Sequence, residues 1–129
     1  MDNLTQLNEL TDRVIKCFFK VYNTLGYGFL EKVYERALYI ELNKIGIKVE
    51  CQKPIKVHYD NQIIGDYYAD IMVDNTVIIE LKAVEILCEQ HELQLINYLK
   101  ATDVEFGLLL NFGKRPEIRR KIFSNNLKK

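Results

Sequence analysis

Asp70, Glu80 and Lys82 are the residues best suited to chemistry, set as Asp-x9-Glu-x-Lys across two segments of alternating character. Successive side chains of a strand point to opposite faces. Ile63, Gly65, Tyr67, Ala69, Ile71 and Val73 then form one apolar face, opposite Ile64, Asp66, Tyr68, Asp70 and Met72. In the second segment Val77, Ile79, Leu81 and Ala83 are apolar, opposite Thr76, Ile78, Glu80, Lys82 and Val84. Asp70, Glu80 and Lys82 are thus expected off the main core. Two adjacent carboxylates repel unless positive charge lies between them, and a hard divalent cation takes oxygen ligands of this kind. An ion beside a lysine suits phosphodiester hydrolysis: it activates water and binds a phosphate oxygen, while the amine steadies developing charge. Taken alone, either acid reads better as a solvated charge on an edge sheet face; the combined Asp-x9-Glu-x-Lys pattern with apolar flanks on both strands favours the site.

The connection between the two strands decides whether the acids meet. A two-residue loop at Asp74-Asn75 would set Asp70 opposite Ile79 and split the acids between faces. A three-residue loop, Val73 to Asn75, sets Met72 opposite Thr76 and Asp70 opposite Ile78, with Glu80 a diagonal neighbour of Asp70. A one-residue slip would expose a core face, so the apolar pattern selects the three-residue loop.

The elements that must position these strands are legible from periodicity. Leu4, Leu7, Leu10, Val14, Phe18, Val21 and Leu25 recur at helical steps, predicting a helix from about Leu4 to Thr24 that ends at Gly26-Tyr27-Gly28. A second helix is expected from about Leu30 to Ile45, with Leu30, Val33, Tyr34, Ala37, Leu38 and Leu42 inward. Ile47 to Cys51 and Ile55 to Tyr59 read as extended, with Pro54 marking a bulge or an edge. Asp60-Asn61 is a turn. Glu89 to Ala101 reads as a third helix, Val104 to Asn111 as a buried strand, and Glu117 to Phe123 as a short last strand. The order is α-α-β-β-β-α-β-(β), an α+β mixed sheet with helices packed on it.

The chain has 129 residues, 48% apolar and 28% charged, which fits a single soluble domain over 1–129. No apolar run approaches a membrane span. The N-terminal MDNLTQLNELTDRV lacks the basic-then-apolar pattern of a secretion signal, so a cytoplasmic protein is expected. Cys17, Cys51 and Cys88 are odd in number and widely spaced, against a disulfide framework or a zinc site. A formal net charge of zero hides an asymmetry: residues 112–129 hold seven basic residues and one acid, +6, and the rest of the chain carries −6. That basic segment is either a phosphate-binding surface or a solubilising terminus.

The run ADIMVDNTVIIELKA resembles the core motif of the PD-(D/E)xK nuclease superfamily, an acid on one strand and Glu-x-Lys on the next. Gly28, Glu31 and Tyr34 match the pattern that names the GxxExxY family, a branch of that superfamily. GFLEKVYERAL, IIELKAVE, HELQLINYLKAT and GLLLNFG follow in that family's order, so the resemblance runs from about Leu7 to Phe123. It implies a restriction-endonuclease-like core. It further implies Asp70 and Glu80 as metal ligands, Lys82 as the catalytic lysine and Glu31 as an additional acid completing the metal site. Gln94 and Tyr98 resemble a Gln-xxx-Tyr element that lines the active site. The proline of the superfamily's name is absent, and Ala69 precedes Asp70.

Read from the residues alone, Glu31 is equally an exposed acid favoured by the helix dipole. Gln94, Tyr98 and His91 share a helix face, which is also the pattern of a polar helix flank. The leading expectation is a nuclease that uses Mg²⁺ or Mn²⁺ and acts on DNA, with RNA open. Lys114, Arg115, Arg119, Arg120 and Lys121 would hold the backbone, and a homodimer or protein partner would supply specificity. The alternative is a catalytically silent nuclease-fold module that binds nucleic acid or a protein.

Overall fold

The computed structural model describes residues 3–128. Two helices come first, α1 (Asn3–Leu25) and α2 (Glu31–Lys44), then three strands, β1 (Val49–Tyr59), β2 (Gln62–Val73) and β3 (Val77–Lys82). Helix α3 (Glu89–Lys100), strands β4 (Phe106–Phe112) and β5 (Pro116–Ile122) and a 3₁₀ turn (Asn125–Leu127) follow. The strands form one sheet in the order β1-β2-β3-β4-β5, antiparallel except for the parallel pair β3–β4. Helix α3 is the crossover that this parallel pair requires. The element order expected from periodicity is observed, including the last strand.

Each helix covers a face because of its apolar stripe. Val14, Phe18 and Val21 of α1 and Tyr34, Leu38 and Leu42 of α2 are buried with Ile71, Val73, Ile79, Leu81, Leu108 and Leu110 of the sheet. Leu95, Tyr98 and Leu99 of α3 bury Met72, Ile78 and Leu109 on the other face. The face expected to be off the main core therefore carries a second, smaller core. Leu30 and Val33, expected inward, are exposed, because the stripe of α2 runs at four-residue steps from Tyr34 and leaves both outside it.

Beyond the helices the β1–β2 hairpin projects, and Ile63, Ile64, Tyr67 and Tyr68 near its tip are exposed. The apolar face read along the whole of β2 thus ends before Tyr67. Pro54 lies within β1, an edge strand, where its missing N–H costs no ladder bond to a further strand.

Two local devices fix the ends of elements around the acids. Tyr34 is fully buried, stacks on Phe112 with ring centroids 4.1 Å apart, donates to Gly26 O at 2.6 Å and accepts from Phe29 N at 3.2 Å. It clamps the α1–α2 loop, in which Gly28 has a φ of +113° that a side chain would strain. Asn111, also fully buried, accepts from Val84 N at 3.0 Å and donates to Val84 O at 2.8 Å. It pins the chain just after Lys82. Gly113 passes so close that a Cβ there would lie 2.3 Å from Val84 O.

Candidate active site

Strands β2 and β3 pair as Val73↔Val77, Met72↔Ile78 and Ile71↔Ile79. One step further the same register sets Asp70 opposite Glu80, and there the backbone ladder stops. The acids take over its hydrogen bonds: Asp70 N donates to Glu80 Oε2 at 2.9 Å, and Leu81 N donates to Asp70 Oδ2 at 2.8 Å. Each carboxylate thus caps the other's strand where the two strands part.

The loop has the expected three residues but begins one position later, spanning 74–76 between paired Val73 and Val77. Both valines are fully buried, so Val73 stays in the strand; Asp74 and Asn75 take left-handed φ values of 51° and 55° and make the turn. The parity is unchanged, so the shared face stands, while Asp70 faces Glu80 directly rather than diagonally. A second departure lies at Asp70 itself. Ala69 belongs to the α3 core and Ile71 to the α1–α2 core, although strict alternation would put them together. The two neighbours of Asp70 in β2 thus pack into different helical layers.

The pair is electrostatically loaded. Glu80 is only 4% exposed, and burial, then the charge of Asp70, push its carboxyl up to about 8. Asp70 is also raised, by burial first and then by the charges of Glu35 and Glu31, against a lowering by the Leu81 N–H. Lys82, two residues along β3, draws Glu80 down but does not offset its burial. Glu31 is exposed in the first turn of α2, and its charge raises both carboxyls of the pair. On the α3 side, Gln94 Nε2 donates to Tyr98 Oη at 3.1 Å. The Tyr98 phenol is pushed up to about 12 by its burial and then by the charges of Glu80 and Asp70. Lys82, Glu31 and Tyr98 are thus coupled by charge to the Asp70–Glu80 pair, and Gln94 is joined to it through Tyr98.

Two further residues join them without having been singled out. Glu35, buried one turn after Glu31, receives Gln52 Nε2 at 2.7 Å and Lys32 Nζ at 3.1 Å. The same Gln52 nitrogen lies 3.5 Å from Asp70 Oδ1. Gln52 holds a left-handed φ of 54° in the middle of β1, across from Asp70. The one sequence signal for Glu35 is an acid at i+4 from Glu31, between the inward Tyr34 and Leu38. Gln52 carried none.

His91 caps its own helix: its Nδ1 accepts from Cys88 N at 3.2 Å, a structural task. The basic segment is largely spoken for. Arg119 pairs with Glu117, Arg120 with Asp12 and Lys121 with Glu92, while Lys114 and Arg115 in the β4–β5 turn are exposed and enter no ion pair among the described residues.

The donor set fits a hard cation in part. Asp70 and Glu80 each keep one oxygen on a backbone N–H, and Asp70 Oδ1 has only the long contact to Gln52. Glu80, buried, and Asp70, half-buried, both have raised pKa values, and a divalent ion would supply the charge that offsets this. Among the described residues, no three His, Cys, Asp or Glu side chains are gathered closely enough to hold an ion.

A family model described as the PD-(D/E)XK nuclease superfamily matches residues 8–121. The chain belongs to that superfamily. Its mixed sheet, with helices on both faces, is the restriction-endonuclease-like architecture expected from the sequence. Among solved structures, the crystal structure of SSO0001 matches with a TM-score of 0.56 and 17% identity, over 72% of this chain and 50% of that one. This likeness is one of fold, and the chain spans about half of that protein. No curated protein matches the chain. No helix among the described residues is long and apolar enough to cross a membrane.

Proposed function

We propose that the protein is a metal-dependent nuclease that hydrolyses phosphodiester bonds of DNA, and that it falls in the GxxExxY branch of its superfamily. The observation that carries the activity is the reciprocal Asp70–Glu80 bracket, with Lys82 next along the same strand face. In this reading Asp70 and Glu80 hold Mg²⁺ or Mn²⁺, with Glu31 as the third acid. The bound cation would supply Lewis-acid activation of water and of a phosphate oxygen. The chain's own residues do the rest. The bracket fixes both carboxylates before substrate arrives, so no reorganisation is needed during reaction. Lys82 steadies the negative charge that develops on the phosphoryl oxygens. Glu35 anchors Gln52, whose side-chain nitrogen lies against Asp70 Oδ1, and Tyr34 holds the helix end that carries Glu31. Lys114 and Arg115 hold the nucleic-acid backbone; Arg119, Arg120 and Lys121, already paired, contribute less. A cytoplasmic setting belongs to the same reading.

Calorimetric titration with Mn²⁺ or Mg²⁺ should show binding that is lost in Asp70→Ala and Glu80→Ala. Mn²⁺-supported cleavage of plasmid DNA should vanish in Lys82→Ala while circular dichroism and melting are retained. Cleavage by Lys82→Ala at the wild-type rate overturns the assignment. The second reading, a silent module that binds nucleic acid or a protein partner, is favoured by the internal pairing of three of the five candidate basic residues, which leaves specificity to a partner or a second copy. Metal binding without cleavage would select it.

A further inference from the structure

A groove of about 700 Å³ runs between the projecting β1–β2 hairpin and α3, and Gln94 and Tyr98 are among the residues that line it. Tyr98 links it to the acid pair, since the charges of Glu80 and Asp70 both act on its phenol. Its walls are chemically unlike the site it leaves. Tyr67 is half-exposed and presents its ring beside that of Tyr98, with centroids 5.8 Å apart. Gln90, Gln94 and Asn97 add amides that can donate and accept, and Lys100 adds a cation. Neither Asp nor Glu is among its lining residues, beside a centre built of carboxylates. Tyrosine faces and the apolar Val57, Ile64 and Leu93, with neutral amides, His58 and a cation and no anion, match unpaired nucleobases on a negatively charged strand. A paired base cannot use this chemistry, since its edge is occupied and its face is stacked.

We propose that this groove receives the unpaired bases of a nucleic-acid strand next to the phosphate at Asp70 and Glu80, so that the substrate is single-stranded at the site of cleavage. The proposal rests on the nuclease reading for the location of that phosphate, but its test does not. Binding is measured by fluorescence anisotropy in EDTA and low salt, where no cleavage occurs. The probes are a short labelled DNA strand, its duplex, its RNA counterpart and an abasic strand with the same phosphates. The abasic strand isolates the bases, because the repulsion of phosphates by the acids is common to both strands. The base-bearing DNA or RNA strand should bind at least tenfold more tightly than the abasic strand and the duplex. Tyr67→Ala should weaken that binding about fivefold to a hundredfold, the value of one stacked base. A bromouracil-substituted strand should crosslink to Tyr67 or Tyr98, a readout that needs no variant to fold. Equal affinity for base-bearing and abasic strands overturns the proposal, as does crosslinking confined to other surfaces. So does self-association that buries Tyr67, or binding of a leucine- and phenylalanine-rich peptide in place of either strand. Asp70→Ala should lose cleavage and keep strand binding. If cleavage proceeds while bases make no difference, the groove fails and the hydrolytic reading stands; if bases bind and nothing is cleaved, the reverse holds.

Discussion

Replacing Glu80 by glutamine should make the protein more stable, and by an amount that depends on pH in one direction only. Glu80 is 4% exposed, faces Asp70, and holds its proton up to about pH 8 in the folded chain, against an ordinary value of 4.5. Below pH 4.5 it is protonated folded and unfolded, and contributes no pH dependence. Between 4.5 and 8 the unfolded chain releases the proton and the folded chain keeps it. Unfolding is therefore favoured by about 1.4 kcal/mol per pH unit. Above 8 both states are ionised and the loss is complete, about 5 kcal/mol over the interval. That is comparable with the whole stability of many small domains. Glutamine keeps the oxygen that accepts from Asp70 N and cannot ionise, so the difference between the two proteins isolates this one proton. The Tyr98 phenol, which Glu80 also perturbs, titrates near 12 and stays out of the window. Urea unfolding of both proteins in EDTA from pH 4 to 9 gives the comparison. The stability difference, Glu80→Gln minus wild type, should rise steadily between about pH 4.5 and 8 and then level. A difference that is flat across that range refutes a buried, uncompensated carboxylate at this position. Divalent metal added at pH 8 should recover much of the wild type's loss and none in the variant.

Other consequences follow from neighbouring contacts. Tyr34→Phe removes the 2.6 Å bond to Gly26 O and the acceptor for Phe29 N, and should cost about 1–3 kcal/mol in urea unfolding at neutral pH. Gln52→Ala should slow Mn²⁺-supported cleavage by releasing Asp70. Gln52→Gly should be more stable than Gln52→Ala by about 1–2 kcal/mol, since only glycine is unstrained at a φ of 54°. Lys114→Ala with Arg115→Ala should reduce the salt dependence of DNA binding by a slope of about 1.8 if each meets one phosphate. Arg120→Ala, whose partner is Asp12, should leave that slope unchanged.

The parts of the fold that could be read from the chain are those in which one physical period dominates. Phe18 and Val21, or Leu38 and Leu42, are buried because a helix brings them to one side at three- and four-residue steps. The shared face of Asp70 and Glu80 was legible for the same reason, since parity survives an error in the loop's starting point. What was not legible depends on contacts between segments far apart in sequence. The exposure of Tyr67 follows from how far the helices extend along β2, a tertiary quantity. Glu35 looks like any acid on a helix until Gln52, seventeen positions later, donates to it. Gln52 itself is hidden because a left-handed residue inside a strand opposes its local propensity and is held only by what surrounds it.

These unread features converge on one place. The ladder between β2 and β3 breaks at Asp70, its two neighbours in β2 pack into different layers, and Gln52 takes a left-handed φ across from it. A regular sheet would satisfy its backbone groups with other backbone groups and keep carboxylates outside. Here the two acids satisfy Asp70 N and Leu81 N, so neither can leave without orphaning a donor at the edge of the core. The fold thus retains a buried and a half-buried carboxyl side by side by making them structural members of the sheet. Stability and site are then the same hydrogen bonds, which is why the amide at position 80 should relieve the charge while keeping the bond, whereas alanine at position 80 should lose both.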